Sequence, residues 1–190
     1  MRTVISCLTL ILAFVACKES EHKSIKKQAQ NQEQNFAPKM GARFFEYDSI
    51  DYYTSDYDEF SILKLNENKD KSKTDQLKFD VVIGNFPKDI TQTNFLKSMD
   101  KIGYEKKIIS QDKFSDIDQL FVEKTVAESG TYACIAIYRD ILVFKKQEKI
   151  VGIAKICFAC HQHKIIGTNA ETDNFGQNGD YKKLAILLNQ

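Results

Sequence analysis

The string Cys157-Phe158-Ala159-Cys160-His161 near the C-terminal end holds residue types that bind cofactors. C-x-x-C-H is the attachment signature of c-type haem, in which both thiols become thioethers and the histidine binds iron. One alternative is therefore covalent haem held by Cys157, Cys160 and His161. The string follows a β-prone stretch, and no methionine follows it to fill the sixth iron position. Both features argue against haem, and the first expectation is that the protein carries no cofactor.

A second alternative is a zinc site that adds Cys134 and His163 to Cys157, Cys160 and His161. Thiolates and imidazoles are the preferred ligands of tetrahedral Zn²⁺, although one C-x-x-C pair is only half of the usual signature.

A third alternative is a structural disulfide among Cys134, Cys157 and Cys160, with one thiol left over. Closing the loop from Cys134 to Cys157 is worth about 3.5 kcal/mol, against about 2 for Cys157 to Cys160, so chain entropy favours the longer bridge.

The first sixteen residues predict export. One positive charge at Arg2 precedes Val4 to Ala16, a run of 13 uncharged, mostly apolar residues. A membrane-spanning helix needs about 20, and the shorter run is typical of a signal peptide. Phe14-Val15-Ala16-Cys17 resembles the lipobox of bacterial lipoproteins, with Phe14 where leucine is usual. The resemblance implies cleavage before Cys17 and acylation of that cysteine.

Residues 17–41 are predicted to be the lipidated cysteine and a flexible polar tether. Lys, Glu, Gln and Asn dominate this stretch, and apolar residues are too sparse for a core. A flexible chain of some twenty residues has a root-mean-square end-to-end distance of about 25 to 30 Å. Several acyl chains on Cys17 would anchor the protein stably to a membrane. The mature protein is therefore expected at the bacterial cell envelope, lipid-anchored to the outer membrane or on the periplasmic face.

Composition limits the possible functions. The 27 basic residues almost cancel the 26 acidic ones, so the charge gives no case for nucleic-acid binding. The sequence contains no G-x-S-x-G elbow, P-loop, Rossmann fingerprint or H-E-x-x-H string. We therefore expect a non-enzymatic binding or envelope-interaction module with an unidentified protein or small-molecule partner. A small redox or metal protein using haem or zinc is the alternative.

Residues 42–190 are predicted to form one domain, 43% of the whole chain being hydrophobic. Alternating apolar residues predict strands at 45–48, 60–65 and 76–84, and a fourth at 104–110. Phe95, Met99 and Ile102 have helical spacing, which predicts a helix over about 90–102 that ends at Gly103. A capping box at residues 115–118 predicts a second helix that buries Ile117, Leu120 and Phe121.

The C-terminal third is predicted to be mostly β. Residues 131–166 indicate three adjacent antiparallel strands joined by short turns at 139–140 and 147–149. Asp180 is a predicted N-cap for a last helix with a stripe formed by Tyr181, Leu184, Leu187 and Leu188. The order predicts an α+β fold, with a mainly antiparallel sheet and two or three short helices on one side, after a disordered tether.

The C-terminal hairpin also resembles a known group of sequences. Cys134, the run from Arg139 to Phe144, and Ile156-Cys157-Phe158-x-Cys160 are similar to the end of a group of uncharacterised bacterial lipoproteins. The resemblance covers about residues 131–166. In that group the residue after the second cysteine is not regularly histidine, which implies that His161 is incidental and weakens the haem alternative. The resemblance implies no activity.

Overall fold

The computed structural model describes residues 40–125 and 134–189. The strands and α-helices of these two ranges are, in chain order, β1 (Met40–Arg43), β2 (Ser49–Thr54), α1 (Glu59–Glu67), α2 (Lys73–Val82), β3 (Glu105–Ile108), α3 (Phe114–Leu120), β4 (Val122–Lys124), β5 (Asp140–Lys146), β6 (Lys149–Cys157), β7 (Gln162–Ile166) and α4 (Asp180–Leu188). Short 3₁₀ helices cover Asn94–Ser98 and Gln111–Lys113. No helix within the described ranges is long and apolar enough to cross a membrane.

The strands form two antiparallel sheets. The larger has the order β3-β2-β5-β6-β7, and β1 pairs separately with β4. The α+β class with a mainly antiparallel sheet, predicted from the sequence, is confirmed. The predicted signal peptide (1–16) and all but the end of the predicted tether (17–41) lie outside the described residues.

Two predicted strands are helices. Residues 60–65 lie in α1, where the Asp58 carboxylate accepts the Ser61 N–H at 2.9 Å, and residues 76–82 lie in α2, capped by the Ser72 hydroxyl. Side-chain caps of this kind satisfy amide groups that the first helical turn leaves unpaired. Val81 and Val82 are both fully buried, although neighbours on a strand would point to opposite faces.

The predicted strand at 45–48 is wrong, because these residues form the irregular connection between β1 and β2. The other elements follow the sequence more closely. The predicted helix over 90–102 is a shorter 3₁₀ turn followed by irregular turns, yet Phe95, Met99 and Ile102 are all buried. The predicted strand at 104–110 and the helix bearing Ile117 appear as β3 and α3. No side chain caps α3, so the predicted capping box is not used.

In the C-terminal third, the turn between β5 and β6 consists of Gln147 and Glu148, both with positive φ, as expected for a two-residue hairpin. The described part of the first predicted strand, residues 134–138, is not a strand. The other two predicted strands are β5 and β6, and β7 has no predicted counterpart. The predicted last helix is α4, although Gly179 takes the N-cap position in place of Asp180.

Helices pack against both faces of the large sheet. One face, here called the aromatic face, contacts α3 and α4 and buries Phe44, Phe45, Ile50, Tyr52, Ile109, Ile117, Leu120, Phe121, Leu142, Phe144, Ala154, Ile156, Phe175, Tyr181, Leu184 and Leu188. The aliphatic face contacts α1 and α2 and buries Tyr53, Ile62, Val81, Val82, Phe95, Met99, Ile102, Tyr104, Ile137, Ile141, Val143 and Ile153. Strand alternation assigns adjacent residues to opposite faces, as with Val143 and Phe144.

Candidate functional site

The C-x-x-C-H string lies at the end of the β6–β7 hairpin. Cys157 is the last residue of β6, and Cys160 and His161 belong to the turn before β7 begins at Gln162. His161 has a φ of 49°, the left-handed conformation that closes the turn. The hairpin therefore holds both cysteines of the string at one end of the sheet.

The disulfide joins Cys134 to Cys160, with 6.1 Å between their Cα atoms, and Cys157 is a buried free thiol. The preferred Cys134–Cys157 bridge of the sequence analysis is therefore not the one formed, nor is Cys157–Cys160. Chain entropy does not separate the two bridges from Cys134, because loops that differ by three residues differ by only ~0.1 kcal/mol. Geometry decides, since Cys157 ends a strand and points into the core, whereas Cys160 lies in the turn.

His163 is held by hydrogen bonds at both ring nitrogens. Its Nδ1 lies 2.9 Å from the Tyr181 hydroxyl, and its Nε2 lies 2.9 Å from the backbone carbonyl oxygen of Thr172. A carbonyl oxygen only accepts, so Nε2 carries the proton and Nδ1 accepts from tyrosine. Burial lowers the pKa of His163, which favours this neutral form.

His161 contacts the same tyrosine from another direction. Its ring stacks on that of Tyr181, with 4.9 Å between the ring centroids and 9° between the planes. Tyr181 thus joins both histidines of the hairpin, one through its ring and one through its hydroxyl. Sequence reasoning placed Tyr181 only in the apolar stripe of the last helix, and no local signal indicates its contacts with the hairpin.

The predicted zinc ligands are not gathered as a metal site. Among the described residues, no group of three or more His, Cys, Asp or Glu side chains is arranged to hold a metal ion. The Cys160 sulfur is bonded to Cys134, and His163 donates and accepts hydrogen bonds within the fold. The cysteines and histidines present therefore do not fit a tetrahedral zinc site in this arrangement.

Haem attachment would need the sulfurs of both Cys157 and Cys160, and the Cys160 sulfur is committed to the disulfide. The residues as arranged do not fit a doubly attached haem. The haem alternative stays a prediction, which an absorbance spectrum of protein made in a host that matures c-type haem would test.

A buried lysine lies two residues before Cys157 on the same strand. Lys155 is 1% exposed, and its Nζ donates to the carbonyl oxygens of Gly84 and Phe86, both at 2.9 Å. Its ammonium group also lies 4.4 Å from the centre of the Tyr138 ring. Burial, and then the nearby charge of Lys164, lower the pKa of Lys155 to about 7. The only sequence signal for this buried group is a lysine within an apolar strand.

A surface cleft of about 630 Å³ lies where β1 leads into the large sheet. It is lined by Arg43, Phe44, Phe45, Glu46, Tyr47, Phe114, Asp118 and Lys146. Arg43 Nη1 lies 2.9 Å from Asp118 Oδ2, and the Tyr47 hydroxyl donates to Asp118 Oδ1 at 2.9 Å. Burial, followed by this hydrogen bond, raises the pKa of Tyr47. The Asp118 carboxylate thus orients a cation and a phenol at the rim of the cleft.

The aromatic rings of the cleft are fixed by one another. The rings of Tyr47 and Phe114 meet edge to face with 5.0 Å between centroids, and Tyr47 also contacts Phe144 in the core. The Arg43 side chain is 66% exposed, so guanidinium donors other than the one on Asp118 reach solvent. The cleft therefore combines a rigid apolar wall with an accessible cation. Sequence reasoning did not find it, because its residues come from three separate stretches of the chain.

Comparison of the chain with protein-family models, with curated proteins and with solved structures finds no match. The resemblance of residues 131–166 to a lipoprotein group therefore stays a prediction from the sequence.

Proposed function

We propose that this protein is a lipid-anchored lipoprotein of the bacterial cell envelope whose folded domain is a non-enzymatic binding module. The 13-residue apolar run and the lipobox-like Phe14-Val15-Ala16-Cys17 support the anchor. Those residues lie outside the described part of the chain, so the anchor rests on sequence alone. The surface cleft beside Arg43 supports the binding role.

The charge pattern of the cleft is the observation that carries the binding proposal. Arg43 and Lys146 supply positive charge, Glu46 and Asp118 supply negative charge, and the Phe114 ring supplies an apolar wall. Such a lining complements a small ligand that carries both charges and an apolar part. A short peptide with free termini has this chemistry, since its carboxylate suits the guanidinium and its ammonium suits Glu46.

The anchor is tested by Cys17→Ser in the full chain, with Cys7→Ser as the matched control inside the same leader. We expect wild-type protein and the Cys7→Ser variant to incorporate labelled palmitate and to partition into detergent. Cys17→Ser should do neither, because the variant lacks the acylated thiol. Equal labelling of the Cys17→Ser variant would contradict the anchor.

The binding role is tested by titrating the tripeptide Ala-Phe-Ala with free termini into ¹⁵N-labelled protein and following the backbone amide resonances. Shifts should concentrate at residues 43–47, 114 and 118. The same tripeptide, acetylated and amidated, should bind at least about tenfold more weakly, because it loses charge-assisted hydrogen bonds.

Arg43→Ala and Lys146→Ala should each weaken binding of the free tripeptide, whereas Lys149→Ala, on an exposed residue outside the cleft, should not. Arg43→Ala also breaks the contact with Asp118, so Lys146→Ala separates lost binding from altered structure. Equal responses to both tripeptides, or shifts spread away from the cleft, would contradict this binding proposal.

A further inference from the structure

We propose that the Cys157 thiol exchanges with the Cys134–Cys160 disulfide, which makes the end of the β6–β7 hairpin a thiol–disulfide exchange site. Cys157 is free and buried, and Cys160, three residues later, is bonded to Cys134. A free thiol and a disulfide thus share one end of the sheet. This site is separate from the cleft and does not depend on the proposed binding role.

The first argument is the direction in which Cys157 points. Strand alternation places Ile153, Lys155 and Cys157 on the aliphatic face of β6. The segment that follows Cys134 lies over the same face, because Ile137 is buried there and the Tyr138 ring contacts the Lys155 ammonium group. Burial and then the charge of Cys157 raise the pKa of Tyr138, as expected if both side chains occupy one space.

The second argument is the turn. Cys157 and Cys160 are the first and fourth residues of a C-x-x-C segment that enters the tight turn between β6 and β7. The ends of a four-residue β-turn lie within about 7 Å, and disulfides span Cα distances of about 4.4 to 6.8 Å. Cys160 is 6.1 Å from Cys134 by the same measure. The hairpin turn therefore places Cys160 near the end of β6 that carries Cys157, while the disulfide holds Cys160 beside Cys134.

The exchange needs no outside oxidant or reductant. The Cys157 thiolate attacks the Cys160 sulfur, a Cys157–Cys160 bond forms, and the Cys160–Cys134 bond breaks. Cys134 leaves with the electron pair of the broken bond and takes up the proton that Cys157 gave to solvent. One disulfide and one thiol are present before and after the step.

The exchange changes which thiol reaches solvent. Cys157 is 2% exposed, whereas Cys134 is an exposed residue next to Ile135, which is 53% exposed. A thiol in the core is thereby replaced by a thiol at the surface. The surface thiol is able to react with alkylating reagents and with the disulfides of small molecules or other proteins, which the buried one is not.

The experiment uses the full chain carrying Cys7→Ser and Cys17→Ser, so that the three cysteines of the domain are the only ones left. The folded protein is incubated with N-ethylmaleimide at pH 8 without reductant, and digests are mapped by mass spectrometry over several hours. We expect Cys134 to become alkylated while a Cys157–Cys160 disulfide appears in equal amount.

Cys157→Ala in the same background is the matched control. It keeps the Cys134–Cys160 bond but has no attacking thiol, so alkylation of Cys134 should be at least tenfold slower. Alkylation of Cys157 with the Cys134–Cys160 bond intact would overturn the exchange. Alkylation of Cys160, no alkylation, or equal rates for Cys134 in both proteins would overturn it as well.

Discussion

The two faces of the five-stranded sheet are buried by different chemistry. Seven of the sixteen core residues on the aromatic face are Phe or Tyr, whereas three of the twelve on the aliphatic face are. The aliphatic face also buries the ammonium group of Lys155. Burying a charge is costly unless polar groups surround it.

The reason lies in what covers each face. The aliphatic face meets the non-helical segment 84–86 after α2, whose carbonyl oxygens accept from Lys155 and, at Asn85, from Lys164. On the aromatic face, aromatic rings instead pack against one another, as Phe45 and Phe144 do with 4.6 Å between their ring centroids. Gly152 permits this packing, because a Cβ there would lie 2.1 Å from Phe45 Cε1. On the aliphatic face the Lys155 cation is therefore buried where irregular backbone provides acceptors.

The largest expected effect tests the aromatic face. Phe144 is fully buried and contacts the rings of Phe45, Tyr47 and Phe121. Phe144→Ala should lower the free energy of unfolding by about 3 to 5 kcal/mol, measured by urea denaturation, because it leaves a large cavity. Phe60→Ala, at a residue 67% exposed, should change it by less than about 0.5 kcal/mol. A loss below about 1 kcal/mol for Phe144→Ala would contradict this packing.

The second effect concerns the segment that follows Cys134, which the disulfide holds over the aliphatic face. Cys134→Ser should lower the free energy of unfolding by about 3.5 kcal/mol, because the unfolded chain regains the entropy of a loop with a sequence separation of 26. Reducing the disulfide of the wild-type protein with dithiothreitol should lower the free energy of unfolding by a similar amount, measured for both proteins by urea denaturation. No difference between oxidised and reduced protein would contradict a stabilising disulfide.

The third effect is the pH dependence that Lys155 confers. Its pKa in the folded protein is about 7, below that of an unfolded lysine, so the unfolded chain binds more protons between pH 7 and 10. Lys155 therefore destabilises the folded state most below pH 7, and this destabilisation decreases as the pH rises from 7 to 10. The free energy of unfolding should therefore increase from pH 7 to 9, by at most about 1.4 kcal/mol per pH unit.

Lys155→Met should flatten this slope in urea denaturation at pH 7, 8 and 9, whereas Lys149→Met, on an exposed residue of the same strand, should not. The Met variant also leaves two carbonyl oxygens without a donor, so the slope, and not the stability at one pH, is the readout. An unchanged slope in Lys155→Met would assign the pH dependence to other groups.

The smallest effect tests the start of α1, which covers the aliphatic face. Asp58→Ala removes the acceptor of the Ser61 N–H and should cost about 1 kcal/mol, measured by thermal or urea denaturation. Asp56→Ala, two residues earlier and also exposed, should leave stability within about 0.5 kcal/mol. Equal losses for both variants would show that the cap contributes nothing specific.

The aliphatic face is also where prediction from the sequence failed. Leu77, Phe79, Val81 and Ile83 alternate as a strand would, and this segment is a helix. Over so short an apolar window, a strand and a buried helix share a pattern, and only the contacts of Val81 and Val82 with the sheet separate them. The sequence pattern predicts strands where α1 and α2 lie, so these two helices of the aliphatic face are not predicted.

The sequence by itself determined the antiparallel β5–β6 hairpin, α3 and α4, because their apolar periodicity and short turns are local properties. It also predicted a disulfide among Cys134, Cys157 and Cys160 with one thiol left over. Only the tertiary structure decided that Cys160 bonds to Cys134, that Tyr181 joins two histidines and that Arg43 meets Asp118. These contacts join residues far apart in the chain, and their distances are set by how the elements pack.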